Sequence, residues 1–202
     1  MKVLTISLPP IMTNCYLAFE CEGGKCFIID PASNAEKIIE IISSASLSPT
    51  AILLTHGHFD HIEAADILRE HYSIPLLVHE GDADMIKSPT LNCSMSMMGT
   101  VVKLKDADGF LKDGDEIKLE NEGLRIMHTP GHSPGSCVFI ADNLIFSGDT
   151  VFRSTYGRYD LPGGDYMTLM RSIIRIMSLD EGLIVYPGHD EKTTIAREKI
   201  YY

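Results

Sequence analysis

No apolar run in this sequence approaches the length needed to cross a bilayer, and the opening Met1 to Pro10 stretch carries one basic residue, two prolines and no small-residue cleavage site. A soluble, unprocessed, cytoplasmic protein without membrane partners is expected. Basic charge is scarce as well. Against 28 Asp and Glu there are only 17 Lys and Arg, a formal charge of -11, the wrong sign for a chain that neutralises many phosphates. Nucleic acid is therefore excluded as a main partner and a small-molecule substrate expected, with the oligomeric state left open. Cysteine is sparse and unpatterned: Cys15, Cys21, Cys26, Cys93 and Cys137 are odd in number and never spaced C-x-x-C. A disulfide framework or structural zinc knot does not fit; reduced thiols do. Repeats, low-complexity tracts and linkers are also missing, so residues 1–202 read as a single domain, and 45% hydrophobic residues suffice for a full core.

What is present alternates between strands and helices. Cys15 to Cys21 and Lys25 to Asp30 are apolar and separated by Gly23-Gly24, a hairpin signal. Ser33-x-x-Glu36 has the form of a capping box, and Ile38, Ile39, Ile41, Ile42 and Ala45 predict a helix to about Ser46. A buried strand is expected over Ala51 to Leu54, then a helix from Asp60 to Tyr72 with Ala64, Ala65, Ile67 and Leu68 facing inward, then a strand over Leu76 to Val78. Lys87 to Gly99 is less regular. Strands return at Glu116 to Leu119, Leu124 to His128, Cys137 to Ala141 and Leu144 to Phe146. A helix from Asp165 to Met177, a strand from Leu183 to Tyr186 and a helix from about Thr193 close the chain. Strand runs followed by strand and helix alternation suggest mixed sheets covered by helices.

The chemistry is concentrated at strand ends. Thr55-His56-Gly57-His58-Phe59-Asp60-His61 follows the buried strand, where ligand loops of α/β scaffolds lie. Positions i and i+2 of an extended loop project to one side, so His56 and His58 can share an ion while Asp60 and His61 turn toward another. An isolated Asp60 would read as a helix cap, and isolated histidines as surface residues; three histidines within six residues overturn that reading. Pro130-Gly131-His132, Gly148-Asp149 and Pro187-Gly188-His189 add three ligands, each next to a glycine that permits a tight turn. His71 and His79 read as exposed or structural, and His128 belongs to the strand before His132.

These residues resemble the pattern of the metallo-β-lactamase superfamily, His-x-His-x-Asp-His followed by a distant His, an Asp and a last His, with all seven positions matched. The resemblance implies a four-layer αββα sandwich of mixed α/β class, with two mixed sheets and metals at one edge. It places His56, His58 and His132 on one metal, Asp60, His61 and His189 on another, and Asp149 between them. Zinc is the first expectation for these two divalent ions, with iron or manganese as alternatives. Attack by a metal-bridging hydroxide would need no Ser or Cys nucleophile. Asp60 would in addition orient that hydroxide, which makes it the catalytic candidate.

The segment Phe146 to Arg153, then Gly157-Arg158-Tyr159-Asp160-Leu161-Pro162-Gly163-Gly164-Asp165, is similar to the glyoxalase II-like branch. That branch implies hydroxyacyl-thioester hydrolysis, consistent with the lack of an obvious general acid, since a thiolate leaves without protonation. Arg158 stands where glutathione-binding members carry Lys, and Asp190-Glu191 where they carry Glu-Tyr, so the likeness is to compact relatives. Arg153, Tyr156 and Arg158 are candidates for binding a substrate carboxylate. The chief rival is an iron persulfide dioxygenase, which would use His56, His132 and Asp149 as a facial triad. β-Lactamases usually have Cys where this chain has Asp149, and nucleases carry RNA-binding elements. A lactonase and an idle metal module are the remaining alternatives. Met95, Met97 and Met98 read as packing residues before a mobile lid.

Overall fold

The computed structural model describes residues 1–202. One six-stranded sheet holds, in spatial order, β1 (Lys2–Leu8), β2 (Thr13–Phe19), β3 (Lys25–Ile29), β4 (Ser48–Leu53), β5 (Leu76–His79) and β6 (Gly109–Leu111). The other holds β7 (Glu116–Lys118), β8 (Gly123–His128), β9 (Cys137–Ile140), β10 (Leu144–Gly148), β13 (Ile184–Pro187) and β14 (Thr193–Thr194), in the order β14-β13-β10-β9-β8-β7. A small hairpin, β11 (Val151–Phe152) and β12 (Thr155–Tyr156), leaves the end of β10. The helices are α1 (Ala35–Ser44), α2 (Phe59–Ile62), α3 (Ala65–Tyr72), α4 (Ser94–Met98), α5 (Tyr166–Met177) and α6 (Ile195–Glu198).

The layering follows from side-chain alternation along strands buried on both faces. From the first sheet, Leu17, Ile28 and Ile52 point outward to Ile38 and Ile42 of α1 and Leu68 of α3. Their neighbours Ala18, Phe27, Ile29 and Leu53 point inward to Leu124, Ile126, Phe139 and Phe146 of the second sheet. On the far side Val138, Ile145 and Val185 meet Leu169, Ile173 and Ile176 of α5 and Ile195 of α6. Three apolar interfaces thus separate four layers, helices, sheet, sheet, helices, the αββα order.

Both sheets are mixed, and this positions the site. β3, β4, β5 and β6 run parallel in the first sheet, and β10 runs parallel to β13 in the second. The C-terminal ends of β3 and β4 lead to Asp30 and Thr55, and those of β10 and β13 to Asp149 and Gly188. Where they meet, Gly148 has φ +48°, and a Cβ there would lie 2.5 Å from Thr55 Oγ1, so only glycine lets the two strand ends approach.

Several sequence-based expectations need correction. Ser33 does not cap α1: its hydroxyl donates to Pro9 O at 2.6 Å, and Asn34, at φ +50°, accepts from Lys37 N instead. The helix expected from Asp60 to Tyr72 is two, because Ala64 N donates to Pro31 O rather than continuing the helical ladder. Ile67 faces solvent, 55% exposed, rather than the core. Met95, Met97 and Met98 are 43–48% exposed on α4 and do not serve as buried packing. The last helix starts after Thr194, whose side chain caps it. β1 is missing from the expected strands although Leu4-Thr5-Ile6-Ser7-Leu8 alternates, while β6 and the β11–β12 hairpin, strands of two or three residues, are too short to show in the sequence. All five cysteines are unpaired, and no helix is long and apolar enough to cross a membrane.

Candidate metal centre

The seven residues converge. His56 and His58 leave β4 in an extended loop, and His58 occupies the N-cap position of α2, so Asp60 and His61 fall on its first turn and point differently. His56 Nε2 lies 3.2 Å from His132 Nε2, and His58 Nδ1 lies 2.8 Å from the same atom. Around the second position, Asp60 Oδ2 is 3.4 Å from His61 Nε2 and 3.2 Å from His189 Nε2. Asp149 reaches both: Oδ1 is 3.3 Å from His61 Nε2, and Oδ2 is 3.6 Å from both His132 Nε2 and His189 Nε2.

Proton positions leave the inward nitrogens free. His61 Nδ1 lies 3.0 Å from Asp30 Oδ2 and donates to it. Thr55 Oγ1 donates to the same carboxylate at 2.6 Å, so it accepts from His56 Nδ1 at 3.1 Å. His132 Nδ1 donates to Arg158 O at 2.7 Å. Three imidazoles are thereby held with Nε2 turned inward, an arrangement that makes sense around a cation.

Electrostatics agree. Burial opposes a charge on His61, yet Asp60, Asp149 and Asp30 outweigh it and hold its pKa well above the ordinary value, so the carboxylates favour positive charge at its Nε2, a charge that a metal ion would supply in place of the proton. Burial likewise opposes ionisation of Asp149, but His61, His189 and His132 prevail and keep it a carboxylate. At His58 the balance reverses: burial and then His132 outweigh Asp60 and Asp149 and push it down to about 3, a neutral ligand. Buried His61 Nε2 and Asp149 Oδ1 have no hydrogen-bond partner, a costly state for polar atoms that ligation removes. The nitrogen separations at the first position approach the edge of roughly 3.3 Å expected for a tetrahedron with 2.0–2.1 Å metal–nitrogen bonds. The donor set suits divalent metal ions.

Two carboxylates that the sequence reading did not single out brace the ligands. Asp30, 1% exposed, serves His61 directly and His56 through Thr55. Asp82, also fully buried, accepts from Gly57 N at 2.8 Å, Gly135 N at 2.6 Å and the Ser133 hydroxyl at 2.7 Å, tying the His56–His58 loop to the loop after His132. The signal for Asp30 was its place after a buried strand and before a proline; Asp82, in a polar turn, gave none.

A cavity of about 240 Å³ opens over the donors, walled by Ile11, Phe59, Met97, Phe152 and Leu161, with Cys93, Tyr156 and Arg158 among its polar lining. A larger depression of about 620 Å³ beside Glu116, Arg125 and Asp180 contains none of the clustered ligands. Of the three candidate substrate-binding residues, Tyr156 and Arg158 line the donor cavity. Arg153 pairs with Glu191 and lines a separate depression with Lys192 and Arg197. The Arg158 guanidinium is gripped by both oxygens of Asp160 at 2.9 Å each.

Residues 8–189 match the metallo-beta-lactamase superfamily. The chain belongs to that superfamily. Its superfamily relatives include a probable metallo-hydrolase, YqgX of Bacillus subtilis, 37% identical over 98% of this chain and 95% of the relative. Hydroxyacylglutathione hydrolase GloC of Haemophilus influenzae is 34% identical over 98% of this chain and 95% of its own. The crystal structure of BLEG-1 B3 metallo-beta-lactamase superimposes with a TM-score of 0.94 at 38% identity, covering 98% of this chain and 97% of that one. The two mixed sheets and their outer helices are therefore the superfamily sandwich, and the protein is a metallo-hydrolase-type enzyme with a His/Asp metal site.

Proposed function

We propose that the protein is a binuclear metal-dependent thioesterase of glyoxalase II-like type. The carrying observation is that Asp149 presents one oxygen to His61 and the other to His132 and His189, so one carboxylate serves two three-residue positions. His56, His58 and His132 would hold one ion and Asp60, His61 and His189 the other, zinc being the first choice for these donors and iron or manganese the alternatives. Two such ions would supply Lewis-acid polarisation of an acyl carbonyl and activation of water near neutral pH.

The chain's own contribution is positioning and the choice of leaving group. Asp60 Oδ2 accepts from the Thr13 hydroxyl at 2.9 Å, which fixes the carboxylate where an incoming water's proton can be held. Burial opposes its charge, but His61 and His189 keep its pKa below the usual range, so it is ionised and able to accept. Apart from the ligands, the proton-bearing groups of the cavity are Cys93, Tyr156 and Arg158. Burial raises the pKa of both Cys93 and Tyr156, and the Arg158 guanidinium is raised by Asp160, so none is a ready proton donor at neutral pH. An amine leaving group needs a proton; a thiolate does not. Relatedness to GloC supports the same reading.

β-Lactam hydrolysis is the second reading, favoured by likeness to BLEG-1, and the contrast drawn from Asp149 does not remove it. The absence of a ready acid weighs against it. The ligand set by itself also suits a facial-triad dioxygenase; the Pro162-Gly163-Gly164 loop, closer to the glyoxalase II-like pattern, weighs against it.

The test is turnover of lactoylglutathione, a chromogenic cephalosporin and glutathione persulfide by protein reconstituted separately with zinc and with iron. Thioester cleavage should dominate, and Asp60→Asn should lose turnover far more than metal content. Oxygen uptake with persulfide and no thioester cleavage under either metal would overturn the proposal.

A further inference from the structure

The lining of the donor cavity is apolar where a glutathione site would need charge. Its walls come from five separate places in the fold: Ile11 from the β1–β2 turn, Phe59 from α2, Met97 from α4, Phe152 from β11, and Leu161 from the loop before α5. Two of these, Ile11 and Met97, are 44% and 48% exposed, and their neighbours Met12, Met95 and Met98 are exposed beside them. Apolar side chains left open on two elements that flank one mouth mark a binding surface, since covering them removes apolar area from water. Methionine's flexible, polarisable side chain lets such a surface follow chains of differing shape.

Charge argues the same way. Glutathione carries two carboxylates, and the only Lys or Arg in the lining is Arg158, already bound through two hydrogen bonds by Asp160. Arg153 is paired with Glu191 outside this cavity. With a net charge of -11 the chain has no general attraction for glutathione, whose two carboxylates and one ammonium leave it a net anion.

Size sets the acyl length. A cavity of about 240 Å³ holds the volume of roughly eight waters at about 30 Å³ each. That accommodates a thioester group and about four further carbons.

We propose that the site selects acyl thioesters by an apolar arm, with an acyl chain of about four to six carbons on an uncharged thiol, in preference to glutathione thioesters. This rests on the thioesterase reading above. Ile11 and Met97 are its specificity-determining residues.

The experiment uses the metal-loaded protein and two thiol carriers, neutral N-acetylcysteamine and glutathione, each bearing acetyl, butyryl and hexanoyl groups. For N-acetylcysteamine, kcat/KM should rise by up to about fourfold per added methylene, the limit set by full burial of each group. Glutathione should give no advantage at any chain length. Met97→Ser and Ile11→Ser should bring the hexanoyl-to-acetyl ratio toward one, whereas Ile67→Ser, on an exposed and remote helix face, should not move it. Calorimetry with S-hexyl-N-acetylcysteamine and S-hexylglutathione, thioethers that are not cleaved, should show the neutral ligand binding at least as tightly, and Met97→Ser weakening both. A tenfold or larger preference for glutathione, or a flat chain-length series, would overturn the inference and leave the thioesterase reading standing. Failure to cleave every thioester would overturn both.

Discussion

Asp30 Oδ2 lies 3.0 Å from His61 Nδ1, on the opposite side of the ring from the nitrogen that faces Asp60 and Asp149. The same oxygen takes the Thr55 hydroxyl, which in turn faces His56. One buried carboxylate therefore fixes the tautomer of a ligand at each metal position. Asp30→Asn should lower the affinity for both ions by about 10- to 100-fold, the usual cost of losing such a partner, with the fold retained. Competition with a chromophoric chelator reads the loss; unchanged affinity at both positions would refute the role.

Asp82 has a different task. It joins Gly57, Ser133 and Gly135 and contacts no ligand ring through a hydrogen bond. Its replacement by Asn leaves two backbone N–H groups and a hydroxyl competing for a single acceptor oxygen. A loss of about 2–3 kcal/mol is expected from hydrogen bonds to a charged group, which for a chain of this size lowers Tm by roughly 4–12 °C. Thermal unfolding of the apo protein checks this, since a role through metal alone would leave the apo Tm unchanged.

Gly188 matters for space. A Cβ there would fall 2.1 Å from Asp149 Oδ1 and 2.7 Å from His61 Cε1, displacing the carboxylate that joins the two positions. Gly188→Ala should reduce bound metal below two per chain and abolish turnover while far-UV circular dichroism stays native-like. Full metal content with normal turnover would contradict the placement of Asp149.

A pH effect arises far from the site. Glu20, at the end of β2, accepts from the backbone N–H of Glu122 and from the side chain and backbone of Asn121, which lower its pKa to about 2. A depressed folded-state pKa contributes stability that is present above the unfolded value near 4.5 and is lost as pH falls toward 2. Urea unfolding of Glu20→Gln should therefore differ from the parent chain above about pH 4.5 and converge with it near pH 2. A constant difference across that range would assign the effect to shape rather than charge.

The sequence was informative where chemistry repeats or a side-chain period is strong. His56 to His61, His132, Asp149 and His189 were legible because glycine-flanked ligands at strand ends are rare together. The helix from Asp165 to Met177 was legible because its cap and apolar stripe coincide, and the structure has both. The bracing of those ligands was not. Asp82 sits in a polar turn whose partners lie 25 to 53 residues away, and nothing local marks it as buried. The helix break at Ala64 was equally hidden, because it depends on a carbonyl at Pro31. The exposed methionines of α4 misled in the opposite direction: an apolar cluster predicts burial, and here it borders the mouth of a cavity.

The two parallel strand pairs have one more consequence. His56, His58, Asp60 and His61 come from the first sheet, and His132, Asp149 and His189 from the second, so neither half of the sandwich alone holds a complete position. Each ion would stitch one half to the other. A complete three-residue position would then exist only once the two sheets have docked, so full-affinity ion uptake would report on that docking.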